Sequence, residues 1–336
     1  MMRTKATTLK DVARLAGASE TAVSAVVRGA KSTVGVSEAT RLRIQQALEE
    51  LQYQPNRIAR SLRQNKTETI GFYNGYGHVE AKDPFIKLLF HGLHLAAGRH
   101  AHDLLLYYGL VGKPLSVVAS RLTSYKADGV VALPSPGDGL LLEKLASQDK
   151  PIVCIVDGHP GMTSVSADDA GGSRLLARHL VSRGHRTILY RRSLERRASE
   201  TTRFEAFLAE AEQAGAQVIA TSPKDALDAV AAEEEALLLS KDRRITAAAC
   251  WHDGSAVALL KFCLAHELRI PEDMAVVGFD GDTERDWPEG YQLTTVRANW
   301  YEVASTGVAL LLAKSAGEEV PQLTVIPSEL LPGNTT

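Results

Sequence analysis

The fold of the N-terminal region is decided by residues 8–27, which read TLKDVARLAGASETAVSAVV. Apolar residues in the first half recur at the spacing of one helix face, and Thr8 and Gly17 are typical helix start and stop signals. Beyond the glycine turn, Ser19 can cap a second helix whose valines face inward, and a third helix begins near Ser37. Two short helices joined by a tight turn and closed by a third predict a helix-turn-helix head.

Basic residues are concentrated in this head. Residues 1–66 carry 12 lysines and arginines against 5 aspartates and glutamates, a balance of +7, and since the whole chain carries −2 the remainder carries −9. A cationic end on an acidic chain indicates binding to nucleic acid. The alternative is a three-helix cap whose charges only face solvent. The outward face expected for the second helix consists of Glu20, Thr21, Ser24, Ala25 and Arg28.

Residues 8–27, together with the run VSEATRLRIQQALEELQYQPNRIARSL at 36–62, resemble the DNA-binding head of the lactose/galactose repressor (LacI/GalR) family. The resemblance implies that the second helix lies in the major groove of double-stranded operator DNA, where Glu20, Thr21 and Ala25 read base edges. Many members carry an arginine in place of Ala25, which can at most touch a thymine methyl. The DNA contacts expected in the head are Thr8, Ser19, Glu20, Thr21, Ser24, Ala25 and Arg28.

The segment PNRIARSL at 55–62 places a leucine among arginines at the end of the head. So short a helix cannot hold in water unless something buries its apolar face. In the resembled family this hinge helix pairs with its copy in the minor groove, and the leucine wedges between base pairs. Leu62 could instead pack on the following domain. The resemblance implies hinge contacts to DNA from Asn56, Ala59, Arg60 and Leu62.

From Thr69 onward, short apolar runs alternate with amphipathic helical stretches, which predicts an α/β doubly wound fold. About eight strands fall into two sets, broken near the motif SVSADD, and predict two α/β subdomains with a cleft between them. The runs expected to form them are TIGFYNGY, LLLYYGL, GVVAL, PIVCIV, TILYRR, AQVIAT, TAAAC and AVVGF. The arrangement resembles the periplasmic-binding-protein-like effector domain of the same family. The domains expected are the head at 1–54, a hinge and linker at 55–68 and the effector and dimerisation domain at 69–336. The N-subdomain is expected at 69–166 and 297–321, where NWYEVASTGVALLLAKSAG supplies a late helix. The C-subdomain is expected at 167–296 and 322–336, where LTVIPSEL supplies a closing strand.

Ligands of such folds bind at the carboxyl ends of strands, so polar residues that follow strands are candidates. Asp157, His252 and Asp280 each come just after a predicted strand. By the resemblance, Arg203 is the arginine that clamps the effector, Asp280 holds a sugar hydroxyl and Phe85 lines the pocket. For Asp157, His252 and also Asn299, a capping or cleft-lining role is an equal alternative. Asp168 and Asp169 are expected to cap a helix.

Four arginines, at 191, 192, 196 and 197, crowd beside the predicted cleft in the motif YRRSLERRASETTR. One hypothesis is an anionic effector held by charge-assisted hydrogen bonds. The alternative is a basic loop that only faces solvent.

We therefore expect a regulator of transcription that acts as a homodimer on a pseudopalindromic operator and responds to a small effector, a sugar or sugar derivative. No cofactor or metal site is expected. An enzyme is disfavoured because the motif GYGHVE has Glu80 where a dinucleotide fingerprint needs its third glycine. A sugar-transport protein is disfavoured because the N-terminus lacks a secretory h-region, and with no long apolar run we expect a cytoplasmic protein without membrane association.

Overall fold

A computed structural model gives the architecture of the protein. The chain divides into two compact units, Met1–Thr67 and Glu68–Thr336, here called the head and the body. The structure describes residues 7–28, 35–54, 61, 66–77, 84–195, 197–221, 229–240, 244–282 and 287–336.

The head contains the three predicted helices, α1 (Leu9–Ala16), α2 (Glu20–Arg28) and α3 (Glu38–Glu50). Thr8 caps α1 through a reciprocal capping box with Asp11, and Gly17 ends the helix in the left-handed conformation with φ of 58°. Glycine adopts this conformation without the penalty of a Cβ atom. The three helices share one small apolar core of Val12, Ala13, Ala16, Val23, Ile44 and Ala47.

The body contains two six-stranded sheets. The first sheet consists of β1 (Thr69–Asn74), β2 (Asp103–Tyr107), β3 (Gly129–Leu133), β4 (Ile152–Ile155), β5 (Thr163–Ala167) and β11 (Leu323–Ile326). The second consists of β6 (Thr187–Arg191), β7 (Gln217–Thr221), β8 (Ala247–Cys250), β9 (Ala275–Asp280), β10 (Thr294–Ala298) and β12 (Ser328–Leu331). The first sheet has the order β11-β5-β4-β3-β1-β2 and is parallel throughout. The second has the order β12-β10-β9-β8-β6-β7 and is parallel except for β12, which runs antiparallel to β10.

Helices accompany each sheet and bury its apolar side chains. Those of the first subdomain are α4 (Pro84–Arg99), α5 (Leu115–Leu122), α6 (Gly139–Ala146) and α11 (Trp300–Ser315). Those of the second subdomain are α7 (Asp169–Ser182), α8 (Ala198–Gln213), α9 (Ala232–Leu238) and α10 (Asp253–Ala265). Within the part of the chain that the structure describes, no helix combines the length and the apolar character that a membrane crossing requires.

The predicted doubly wound plan is confirmed, with one correction at the C-terminal end. The motif LTVIPSEL was expected to form a closing strand of the second subdomain, but it is divided between the two sheets. β11 pairs with β5 in the first sheet, and β12 pairs with β10 in the second. Pro327 separates them, and because proline has no amide hydrogen it cannot continue a strand ladder.

The chain crosses between the subdomains three times. It crosses from β5 to α7 at Asp168, from β10 to α11 at Asn299, and from β11 to β12 at Pro327. The first two crossings are helix N-caps: Asp168 accepts a hydrogen bond from Gly171 N at 2.8 Å, and Asn299 accepts one from Glu302 N at 3.1 Å. α11 packs against α4 and the first sheet.

The C-terminal residues are fixed to the second sheet. Thr335 is fully buried, and its Oγ1 donates to Val276 O at 2.7 Å while accepting from Thr294 N at 3.0 Å. His179 Nε2 lies 2.8 Å from Thr336 Oγ1. The segment after β12 is therefore part of the fold of the second subdomain.

Candidate functional site

The start of α2 presents polar side chains to solvent. Thr8, Ser19, Glu20 and Thr21 are all exposed. Ser19 Oγ accepts a hydrogen bond from Ala22 N at 3.1 Å, so Ser19 caps α2 as expected. Glu20 and Thr21 therefore lie on the accessible N-terminal turn of α2, where the side chains of a recognition helix contact bases.

Two residues of α2 do not lie where the sequence predicts. Ser24 and Ala25, expected on the outward face, are buried, with 8% and 3% of their surface exposed. Their side chains extend little beyond the backbone, so neighbouring side chains cover them easily. The side chain of Arg28 and the hinge residues Asn56, Ala59, Arg60 and Leu62 lie outside the described residues.

In the body, Arg203 is the centre of a buried ion-pair network. Its Nε donates to Asp169 Oδ1 at 2.7 Å, and its Nη1 donates to Trp251 O at 2.9 Å and lies 3.4 Å from Asp280 Oδ1. The guanidinium also lies 3.7 Å from the centre of the Phe279 ring. Arg203 and Asp280 are thus brought together at the carboxyl end of β9.

Asp169 is a member of this network that the sequence does not reveal. The neighbouring Asp168 does cap α7, but Asp169 is buried and points to Arg203. Burial raises the pKa of Asp169 to about 6, although the charge of Arg203 opposes that rise. The sequence does not show that these two adjacent aspartates have different partners. Neighbouring residues of a helix point in directions about 100° apart, so one aspartate can cap α7 while the next points to Arg203.

Asp280 has a backbone conformation that is unusual for its type. It ends β9 with φ of 127°, a region that side chains other than glycine rarely adopt. Next to it, Asp253 is fully buried and accepts hydrogen bonds from Thr295 Oγ1 at 2.6 Å and Asp282 N at 2.7 Å. Burial and the nearby charge of Asp280 raise the pKa of Asp253 well above its usual value. Asp253 thus fixes the backbone at Asp282, two residues after Asp280.

The other three predicted effector residues lie at the same strand and helix ends. Asp157, after β4, accepts a hydrogen bond from Ser199 N at 2.8 Å and so bridges the first subdomain to the start of α8 in the second. His252 caps α10, accepting from Ser255 N, and its ring stacks on Trp251 with centroids 3.8 Å apart. Phe85, at the start of α4, lies edge-on to Trp300 with centroids 5.0 Å apart.

The arginines beside the cleft are largely neutralised by acidic partners. Arg191 is buried in a bidentate ion pair with Glu234, with both nitrogen–oxygen distances at 3.0 Å. Arg192 forms a bidentate pair with Glu200 at 2.8 and 3.0 Å. These two arginines thus do not form the solvent-facing basic loop that was the alternative expectation; Arg196 lies outside the described residues.

Among the arginines of this group that the structure describes, Arg197 is the one that contacts the first subdomain. Its guanidinium lies 4.2 Å from the ring centre of Tyr76, which follows β1, and 5.5 Å from that of Trp251, which follows β8. Its Nη2 lies 3.3 Å from Glu195 Oε2. Tyr76 and Trp251 are site residues that the sequence does not single out, although Tyr76 ends one predicted strand and Trp251 follows another.

Several polar atoms around the cleft are buried without a hydrogen-bond partner among the described residues: Tyr76 Oη, Arg197 Nε, Trp251 Nε1 and Trp300 Nε1. Three of these groups are N–H donors, and the tyrosine hydroxyl can also donate. Buried polar groups of this kind are usually satisfied by a ligand, an ion or water. The site therefore combines aromatic faces, buried donors and the carboxylates Asp157 and Asp280.

Two families match the chain. The family described as bacterial regulatory proteins, lacI family, matches residues 8–56, and the periplasmic binding protein-like domain matches residues 177–336. The first match covers the helix-turn-helix head and the second covers most of the second subdomain with α11 and the C-terminal strands.

Characterised relatives align over most of the chain. The HTH-type transcriptional regulator GalR of Escherichia coli is 29% identical over 332 residues, covering 96% of this chain and 94% of that protein. The HTH-type transcriptional repressor PurR of Photobacterium profundum is 30% identical over 285 residues, covering 81% of each.

Solved structures share the fold from the head to the C-terminus. The lac repressor dimer bound to operator and the anti-inducer ONPF superposes with a TM-score of 0.82 at 24% identity, covering 98% of this chain and 99% of that one. The complex of the transcriptional regulator CelR with cellobiose superposes with a TM-score of 0.69 at 25% identity, covering 98% and 100%. The resemblance and the fold class predicted from the sequence are both confirmed, and the chain belongs to the LacI/GalR family of DNA-binding transcriptional regulators, which are not enzymes.

Proposed function

We propose that the protein is a sequence-specific repressor whose affinity for operator DNA is controlled by a small effector, a sugar or sugar derivative, bound between the two α/β subdomains. The observation that carries this proposal is the network of Arg203, Asp169 and Asp280, which lies where strand ends of the second sheet face Asp157 and Tyr76 of the first subdomain. An effector there contacts both subdomains and can favour one arrangement of them over another.

The charges at the site favour a neutral effector over an anionic one. Arg191 and Arg192 are paired with glutamates, and Arg203 is paired with two aspartates. Asp157 and Asp280 are acceptors that suit the hydroxyl groups of a sugar, and the buried indole N–H groups suit its oxygens. The solved structure of the transcriptional regulator CelR, which shares this fold, is a complex with cellobiose, a neutral sugar.

The exposed apolar surface of the first subdomain supports a homodimer. β2 is one of the two edge strands of the first sheet, and an unpaired apolar strand edge is a template for pairing with another chain. A second copy of the chain is the partner that a pseudopalindromic operator requires. The large exposed apolar side chains on and around β2 and α5 are Leu106, Tyr108, Val111, Leu115, Val117 and Tyr125.

In this proposal the head binds the major groove through Glu20 and Thr21 on α2, and the hinge residues Asn56, Ala59, Arg60 and Leu62 reach the minor groove when two chains pair. A shift between subdomains changes the spacing of the two hinges and thereby the affinity for the operator. The protein acts in the cytoplasm, where the bacterial chromosome lies.

The experiment is selection of bound DNA from a random pool, followed by fluorescence anisotropy with the selected site and a panel of neutral sugars and sugar acids. We expect a pseudopalindromic site whose affinity changes about 5- to 150-fold with one neutral sugar, the usual range of allosteric coupling. Arg203→Lys should bind the same DNA but lose the response, because lysine lacks the planar fork of donors. Arg178→Lys, an exposed substitution in the second subdomain, is the control that keeps the response. Equal DNA affinity with every sugar contradicts effector control.

A further inference from the structure

We propose that Arg197 is a clasp between the two subdomains, and that the ring of an effector competes with its guanidinium for the aromatic faces of Tyr76 and Trp251. The competition rests on the proposed function; the clasp does not.

The geometry places one side chain on aromatic rings of both subdomains. Arg197 belongs to the turn before α8 in the second subdomain, whereas Tyr76 follows β1 in the first. Its guanidinium carbon lies 4.2 Å from the Tyr76 centroid and 5.5 Å from the Trp251 centroid, both within the range of about 6 Å for cation–π attraction. Trp251 is buried and Tyr76 half-buried, so little water competes for these faces.

A second contact from the same turn reinforces the clasp. Ser199, two residues further on, donates its backbone N–H to Asp157 of the first subdomain at 2.8 Å. The turn 197–199 thus contacts the first subdomain through a side chain at one end and a backbone amide at the other. Displacing Arg197 removes the contact with Tyr76 and leaves the hydrogen bond from Ser199 N to Asp157, about which the two subdomains can rotate.

Arg197 is held loosely compared with the other arginines of the cleft. Its ion-pair partner Glu195 is exposed, at 3.3 Å, and its Nε is buried without a hydrogen-bond partner among the residues described. Arg203, in contrast, is fixed by two aspartates and a backbone carbonyl. Of these two arginines, Arg197 is therefore the one that can leave its position.

The surfaces that Arg197 covers define the chemistry of its competitor. An aromatic face attracts a cation and also packs well against the C–H face of a sugar ring. Trp251 Nε1 and Tyr76 Oη, both buried without partners among the described residues, lie on these same two side chains and can bind ring hydroxyls. A neutral cyclic polyol satisfies both requirements.

The clasp is tested on the full chain without any sugar, through acrylamide quenching of Trp251 fluorescence. The chain has three tryptophans; Trp287→Phe removes the half-buried one, and Trp300 is almost fully buried. In this background we expect Arg197→Met to raise the quenching constant about twofold, because the cleft opens more often. Tyr76→Leu, which removes the other half of the contact, should do the same, and Arg197→Lys should raise it less.

Arg178→Met is the control. Arg178 is an exposed arginine of the second subdomain, and its ion pair with Glu210 does not involve the first subdomain. This variant should leave the quenching unchanged. Identical quenching for Arg197→Met and the unmodified background, with both folded by circular dichroism, overturns the clasp; so does an equal rise for Arg178→Met.

Competition is tested by calorimetric titration with D-galactose, D-glucose and cellobiose. We expect Arg197→Met to bind at least one of them about tenfold more tightly than the natural chain, because the competing side chain is gone. If natural chain and variant do not differ for any of the three sugars, the competition is wrong, whereas the quenching result still decides the clasp. If the natural chain does not bind the selected operator at all, the proposed function is wrong, whatever the sugar titrations show.

Discussion

Some charged side chains of the body are buried away from water, and the stability of each depends on an oppositely charged partner. Arg191 and Glu234 are 1% and 0% exposed, and Thr221 Oγ1 donates to Glu234 at 2.6 Å as well. A buried arginine without its carboxylate is an uncompensated charge.

Glu234→Gln should therefore destabilise the body by about 3–5 kcal/mol, the usual cost of breaking a buried pair from one side. Urea unfolding followed by circular dichroism measures this loss. Arg178→Ala, which breaks the exposed pair with Glu210, should leave the urea midpoint unchanged because solvent screens that pair. Equal midpoint shifts for the two variants would contradict the argument.

Asp169 makes stability depend on pH. Because burial raises its folded-state pKa to about 6, the folded protein binds a proton that the unfolded chain releases near pH 4. The stabilisation from this proton is present below the unfolded pKa and is lost as pH rises towards 6. Relative to Asp169→Asn, the natural chain should lose roughly 3 kcal/mol between pH 4 and pH 7. Parallel pH profiles of unfolding free energy for the two proteins would contradict the raised pKa.

At the scale of elements, burial decides what the sequence can reveal. The eight predicted strands are apolar runs. Six of them are buried, as expected for strands covered on both faces, whereas the edge strands β2 and β7 are partly exposed. β5 and β10 escape the prediction because TSVSA and TTVRA are rich in hydroxyl side chains, although both strands are buried. β11 and β12 lie in one segment that is predicted as a single strand, and no local signal says that Pro327 divides it between two sheets.

The same cause limits the prediction of the site. Because ligands bind at the carboxyl ends of strands, the polar residues that follow a predicted strand become candidates. This selects Asp157, His252 and Asp280, since β4, β8 and β9 can be predicted from the sequence. Asp169 and Trp300 follow β5 and β10, where the rule has no strand to start from. On α2, the 3.6-residue period predicts that Ser24 and Ala25 face outward. Both are buried because their side chains are short and neighbouring side chains cover them, whereas a long side chain at the same position would reach solvent.

The C-terminal segment acts as one more structural element, through Thr335. Thr335→Val keeps the shape but removes the hydroxyl that serves Val276 O and Thr294 N, leaving a buried carbonyl and a buried amide without that partner. We expect a loss of about 1–3 kcal/mol in unfolding free energy, measured by urea titration. Thr324→Val is the control: it also removes a buried hydroxyl, but one without a hydrogen-bond partner among the described residues, so it should not lower stability. No difference between the two would mean that the C-terminus does not stabilise the second sheet.

For the whole molecule, the three crossings make each subdomain discontinuous. A chain that stops after Ala298 lacks α11, whose buried residues include Trp300, Val303 and Leu311. Without them the apolar faces of α4 and the first sheet stay open, so we expect no cooperative unfolding transition in calorimetry. A chain that starts at Glu68 lacks only the head and should unfold cooperatively, since the body is a unit by itself. Cooperative melting of the chain cut at Ala298 would contradict this dependence.

The interleaving of the two sheets also sets a schedule for synthesis. β1 to β5 leave the ribosome early, yet β11, the strand that borders β5, is made only after five of the six strands of the second sheet. A nascent chain must therefore keep an incomplete first sheet from pairing with other chains until residue 326 has emerged. Slow translation of residues 168–322 should therefore lower the yield of native protein, because the incomplete first sheet stays exposed for longer. A chaperone that stays bound during this interval should raise the yield.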